Sequence, residues 1–151
     1  MKAARQLSIA ILFVLCITAF YAGYHMVSDP TGSSLGLPFY LLNGSVFTSY
    51  AMIGWLLLFM VGVFSVVTII CIKLKSSIYS FLIMLQGVIL FVFIVIQMLL
   101  LGETFIIQYA FLIAGIALIG LGALQFQRKI VIESKQKTDM PVKSHHHKHR
   151  K

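Results

Sequence analysis

Ionised side chains are scarce in this sequence, and where they are missing matters more than how few there are. Of 151 residues only 11% are charged and four are acidic, against 60% hydrophobic residues and a mean hydropathy of +0.98, a balance far from that of a soluble domain. A hydrocarbon core of about 30 Å needs about 20 apolar residues per helix, so four crossings leave little chain for a separate soluble module. No Asp, Glu, Lys, Arg or His lies deep within an apolar run. Proton relays and many coupled transporters use such intramembrane groups, which argues against a proton-coupled carrier. A passive pore, or a carrier of neutral molecules built by oligomerisation, stays open. Cysteine is nearly absent as well: Cys16 falls mid-way along the first apolar run and Cys71 near the end of the second. Neither is placed to reach an oxidising compartment, so two free thiols and no disulfide are expected.

What is present is hydrophobic and segmented. The sequence predicts an all-α membrane protein, a bundle of four transmembrane helices over residues 7–27, 50–72, 78–101 and 105–126. The first run follows Lys2 and Arg5 and ends among Tyr21, Tyr24 and His25, as amphipathic rings gather at a membrane interface. A signal peptide is the rival reading, but Phe20 and Ala22 give no small-x-small cleavage site. The long connection, residues 28–49, is rich in turn formers and contains no Lys or Arg. Residues 128–151 turn polar and basic, ending in SHHHKHRK, and are expected to be disordered for want of apolar surface to bury.

All twelve Lys and Arg lie before the first run, between the second and third, or after the fourth. The other two connections carry only Asp29 and Glu103. The positive-inside bias therefore predicts cytoplasmic termini and an extracytoplasmic loop between helices 1 and 2. The net charge of +8 does not indicate nucleic acid, which needs a folded basic face rather than charges confined to the ends of apolar runs.

The polar residues within the predicted spans are mainly glutamines. Gln86 and Gln97 are eleven apart, which at 100° per residue puts them within about 20° on one helix face, together with Leu90 and Phe93. Gln97 lies five residues before Gly102 and Gln108 six after it, so an antiparallel hairpin sets both roughly 8 to 9 Å inside the helix ends. These amides serve either as packing glue between helices or as the lining of a small-molecule or lipid-headgroup pocket. Small residues recur at Ala19, Gly23, Gly54, Gly62, Ala110, Ala114, Gly115, Gly120 and Gly122, where close helix packing is the default and a homo-oligomer face the alternative.

Near the outer surface His25, Asp29 and Glu103 form a candidate cluster for a cation or for acid–base work. Interfacial and loop-capping roles are the commoner fate of such residues, and Asp29 before Pro30 is a natural turn starter. In the tail, His145, His146, His147 and His149 invite a weak metal site, but attraction of the basic tail to anionic lipid is the preferred reading. No catalytic residue, cofactor or metal site is assigned. The loop's Pro30, Gly32, Gly36 and Pro38, with Leu35, Leu37, Phe39, Tyr40, Leu41 and Leu42, suggest a compact lid above Gln97 and Gln108.

The segments DPTGSSLGLP (29–38), NGSVFTSYAMIGWLLLFMVG (43–62) and IVIQMLLLGE (94–103) resemble a family of small four-helix bacterial membrane proteins with a D-P-x-G-x-x-L-G-L-P loop. That family continues S-P-F-x-D-Y-x-x-P-G. Here Val46 and Ile53 stand where prolines are usual and Ser49 where an acid is usual. The resemblance implies a four-helix protein of the bacterial cytoplasmic membrane and brings no activity with it; a likeness to DoxX-type proteins is one of size and topology only. The leading functional expectation is a non-enzymatic binding or accessory protein for a lipid, a hydrophobic small molecule or a membrane-protein partner. The alternatives are a small membrane redox enzyme subunit and an oligomeric pore or transporter.

Overall fold

The computed structural model describes residues 2–43, 48–101 and 106–138. Among these the chain is all-helical, and four helices are long and apolar enough to cross a membrane. We label them α1 (Lys2–Ser28), α2 (Tyr50–Lys73), α3 (Tyr79–Leu101) and α4 (Ile106–Thr138). Helices are the natural answer to a hydrocarbon solvent, because each one satisfies its own backbone N–H and C=O groups. Polarity is distributed accordingly. Ser8, Ser65, Thr68, Ser80 and three glutamines are buried in the bundle, whereas Phe13, Ile17, Trp55, Phe59, Ile113 and Ile116 face outward.

The helices alternate in direction and close into a ring in which each packs on its two neighbours. Packing is tightest within the hairpins α1/α2 and α3/α4 and thinner along the seams between them. Glycine explains the difference. A Cβ built on Gly23 would sit 3.0 Å from Gly54 O, and one on Gly54 2.9 Å from Gly23 O. In the second hairpin a Cβ on Gly87 would sit 2.6 Å from Gly115 O, and one on Gly122 2.7 Å from Met84 N. Backbone touches backbone at these points, as small residues allow in membranes. Gly120, by contrast, meets nothing within 4 Å. The interior between the hairpins is filled by Leu12, Leu15, Val61, Ile72, Ile83, Leu90, Ile94 and Leu118.

The basic turn between α2 and α3 closes with Ser76 N–H donating to Cys71 O (3.0 Å) and Lys75 N–H to Ile72 O (3.2 Å). This helix ending usually employs glycine in the left-handed region; here Lys75 occupies it at φ 53°. Within α2, Leu57–Val63 forms a π-helical stretch. Cys16 and Cys71 are free thiols, both half-buried.

One boundary differs from expectation. Disorder is expected from residue 128, yet α4 continues to Thr138. Residues 127–138 contain neither Gly nor Pro and are rich in good helix formers, and extending an existing helix needs no new nucleus. Lys129 anchors the extension by donating to Ser77 O and Ser77 Oγ, both at 2.7 Å, and it lies 3.9 Å from Glu133. The histidines at 145, 146, 147 and 149 lie outside the described residues.

Gly87→Ala is expected to lower stability by about 1–3 kcal/mol, the usual cost of overpacking. Gly120→Ala should be neutral or slightly stabilising, since alanine is the better helix former. Thermal unfolding of the detergent-solubilised protein reads both; equal melting temperatures would remove the glycine contact as the basis of the α3/α4 hairpin.

Candidate functional site

At the end of the bundle bearing the 28–49 connection, the hairpins separate and enclose a cavity of about 320 Å³. This is near the small end of the range for ligand pockets, about 300–1,000 Å³. All four helices contribute walls: Leu15 and Ala19 from α1, Leu57 and Val61 from α2, Leu90 and Phe93 from α3, Phe111 from α4. Leu57 and Val61 belong to the π-helical stretch, a local widening of the helix that recurs at functional sites. The polar side chains of its lining, among the described residues, are Thr18, Tyr50, Gln97 and Gln108. Thr18 turns its hydroxyl back onto its own helix, donating to Val14 O (2.9 Å) and Leu15 O (3.1 Å).

The connection covers the cavity. Leu35, Gly36 and Leu37 border it, and Leu35 and Leu37 pack with Phe93 against a cluster of Met26, Leu42, Tyr50 and Ile53. Gly32 and Gly36 take positive φ values of 78° and 66°, which glycine adopts without strain. Tyr50 is the post on which this cover rests. Its backbone N–H donates to Pro30 O (3.1 Å), its hydroxyl donates to Pro38 O (2.9 Å), and it is 1% exposed. Gly32 lies flat on its ring, where a Cβ would come within 2.7 Å of two ring carbons.

Asp29 organises the same segment from the other side. Its carboxylate accepts from Thr31 N–H (3.1 Å), Ser34 N–H (2.8 Å), the Ser33 hydroxyl (2.7 Å) and the Thr31 hydroxyl. These bonds, the Thr31 and Ser33 side chains first, hold its carboxyl well below the usual carboxylate range.

The glutamines fall into different surroundings. Gln97 and Gln108 line the one cavity; Gln86 does not, and is fully buried with both amide atoms unpartnered among the described residues. Gln97 is half-buried, and its side-chain amide has no hydrogen bond among the described residues. Gln125 bonds across helices: its Nε2 donates to Ser8 Oγ (3.1 Å), and also to Leu121 O (3.1 Å) on its own helix. His25 packs edge-on against Tyr21 and Tyr24, at ring-centroid distances of 4.6 and 5.8 Å. No hydrogen bond joins its imidazole to the Asp29 carboxylate among the described residues, and Glu103 lies outside them. Among the described residues no three His, Cys, Asp or Glu side chains gather as metal ligands.

Tyr50 and Gln125 were not singled out from the sequence. Tyr50 opens an apolar run beside a turn-rich loop, where a tyrosine reads as an interfacial ring; only its contacts with Pro30, Gly32 and Pro38 reveal its role.

A carboxyl with a lowered pKa stabilises the ordered segment at every pH above the ordinary value of about 3.9, and that contribution is lost only as pH falls through the lowered one. Protection of the Ser34 and Leu37 amides, measured by hydrogen exchange and corrected for intrinsic rates, is therefore expected to stay constant from neutral pH to about pH 5. Asp29→Asn should raise their exchange several-fold at neutral pH; unchanged exchange would show that the carboxylate does not order the segment. Compared with known proteins, the chain matches no protein-family model, no curated protein and no solved structure.

Proposed function

We propose that this protein is a non-enzymatic membrane binding protein that takes a lipid or a hydrophobic small molecule into the cavity beneath its Leu35–Leu37 cover. The observation that carries this reading is the cavity itself. It is walled by apolar side chains from all four helices, bordered by Leu35 and Leu37 of the connection, and supplied with the side-chain amides of Gln97 and Gln108. Ligand pockets combine these features: a largely apolar lining with a few polar groups to fix orientation. The enzymatic alternative has less to draw on, because the Asp29 carboxylate is taken up by Thr31, Ser33 and Ser34.

Retention of a small molecule through gentle extraction and native mass spectrometry is the expected result, with a mass shift on the wild-type monomer. Gln97→Leu removes one polar contact of about 1 kcal/mol, so occupancy should correspond to about fivefold weaker binding. A bare monomer from every extraction would sink the proposal.

The distribution of charge favours one orientation in the membrane. Lys2, Arg5, Lys73, Lys75, Arg128 and Lys129 gather at the opposite end of the alternating helices, which supports cytoplasmic termini and a cavity opening toward the outer leaflet. The resemblance of the loop to bacterial four-helix proteins supports a bacterial cytoplasmic membrane. In a variant carrying Cys16→Ala, Cys71→Ala and Ser34→Cys, a membrane-impermeant maleimide should label intact cells; labelling only after permeabilisation would reverse the orientation.

A further inference from the structure

We infer that the ligand of this cavity is an uncharged lipid-like molecule whose polar end is a hydroxyl or carbonyl, held by the Gln97 amide. The inference rests on the cavity-binding reading and narrows it to one chemical class.

Charge is the first argument. Among the described residues lining the cavity the only titratable one is Tyr50, and its hydroxyl is committed to Pro38 O at 2.9 Å. No Lys or Arg occurs anywhere between Arg5 and Lys73 or between Lys75 and Arg128, so neither is placed to meet an anionic headgroup at this end, and the one basic residue near it, His25, is not among the described lining residues. Of the two acidic residues at this end of the chain, Asp29 already accepts from three residues of its own segment, and Glu103 lies outside the described residues. An ionised carboxylate or phosphate entering this apolar enclosure would lose its hydration and find no Lys or Arg as counter-charge, and an ammonium would find no uncommitted carboxylate among the described residues, an outcome that proteins avoid by pairing or neutralising the group.

Polar capacity is the second. Thr18 spends its hydroxyl on Val14 O and Leu15 O, and Tyr50 spends its proton on Pro38. Gln97 lines the cavity, and its side-chain amide has no hydrogen bond among the described residues. A primary amide offers two donors and a carbonyl acceptor, so it is satisfied by a hydroxyl, which both donates and accepts, or by a carbonyl, which accepts. A polar group left without a partner in an apolar surrounding is costly, and a neutral head of this kind removes that cost without adding a charge. The remaining walls, Leu15, Leu57, Val61, Leu90 and Phe111, offer only van der Waals contact and suit a hydrocarbon tail or ring.

The test uses the full chain in lipid nanodiscs and three photoreactive probes that share one medium-chain diazirine tail: a primary alcohol, a carboxylic acid and a quaternary ammonium. At about pH 9 the acid is ionised, being far above the carboxylate range, so head charge alone distinguishes the three. The alcohol is expected to label peptides containing Leu90, Phe93 or Phe111 at least tenfold more than either charged probe. Gln97→Leu should reduce that labelling severalfold, whereas Gln97→Asn, which keeps the amide, should retain part of it. If the acid or the ammonium labels these cavity peptides as strongly as the alcohol, the neutral-head inference is overturned and the cavity-binding reading stands. If all three label only outward-facing residues such as Phe13, Phe59 and Ile113, the cavity-binding reading fails and the inference fails with it.

Discussion

Backbone contact at glycine is the constraint on which this architecture depends. At Gly23 with Gly54, and at Gly87 with Gly115, two helices come together with no side chain between them. Lipid tails compete with apolar side chains on nearly equal terms, so helices in a membrane associate through close packing rather than through a hydrophobic driving force. Two contacts of this kind lock the chain into two hairpins. The hairpins then meet along thinner seams, filled over most of their length by Leu12, Ile72, Ile83 and Leu118. Toward the end bearing the 28–49 connection the filling stops, and the space becomes the cavity.

The cover over that space is built by a division of labour between two residues of unlike chemistry. Asp29 works locally, drawing Thr31, Ser33 and Ser34 around one carboxylate. Tyr50 works at longer range, tying Pro30 and Pro38 to the head of α2 and offering its ring to Gly32. A short segment crossing an apolar opening must satisfy its own polar backbone. The bonds from Leu35 and Leu37 N–H to Gly32 O, and from Gly36 N–H to Ser33 O, do this, leaving Leu35 and Leu37 free to present apolar side chains to the space below.

Polar residues inside the bundle are treated differently by depth. Near the basic end, Gln125 reaches from α4 to Ser8 on α1 and closes the seam there. Gln86, one turn from the cavity-lining Leu90 along α3, is sealed in packing with its amide unpartnered among the described residues. Three turns further, Gln97 opens onto the cavity. The same chemical group is thus a brace, a sealed interior residue and a lining residue along one bundle, and the separation of the hairpins at each level decides which.

Much of this was determined by the sequence alone. Four apolar runs of spanning length dictate four helices, because in hydrocarbon the backbone must bond to itself, and the turn formers around Pro30 and Pro38 dictate a connection of short turns rather than another long helix. Helical periodicity also places Gln86 and Gln97 on one face of α3. Periodicity reports direction around a helix and not distance to the next one, so it could not separate the sealed amide from the lining one. Nor could composition locate the end of α4, where a polar stretch reads as disorder until the Lys129–Ser77 anchor is seen. The tertiary structure alone decided where the hairpins part, that Tyr50 carries the cover, and that Asp29 serves the loop rather than a shared site with His25. Each of those outcomes rests on contacts between residues far apart in the chain or on the local folding of the loop, and contacts of that kind leave no periodic trace in the sequence.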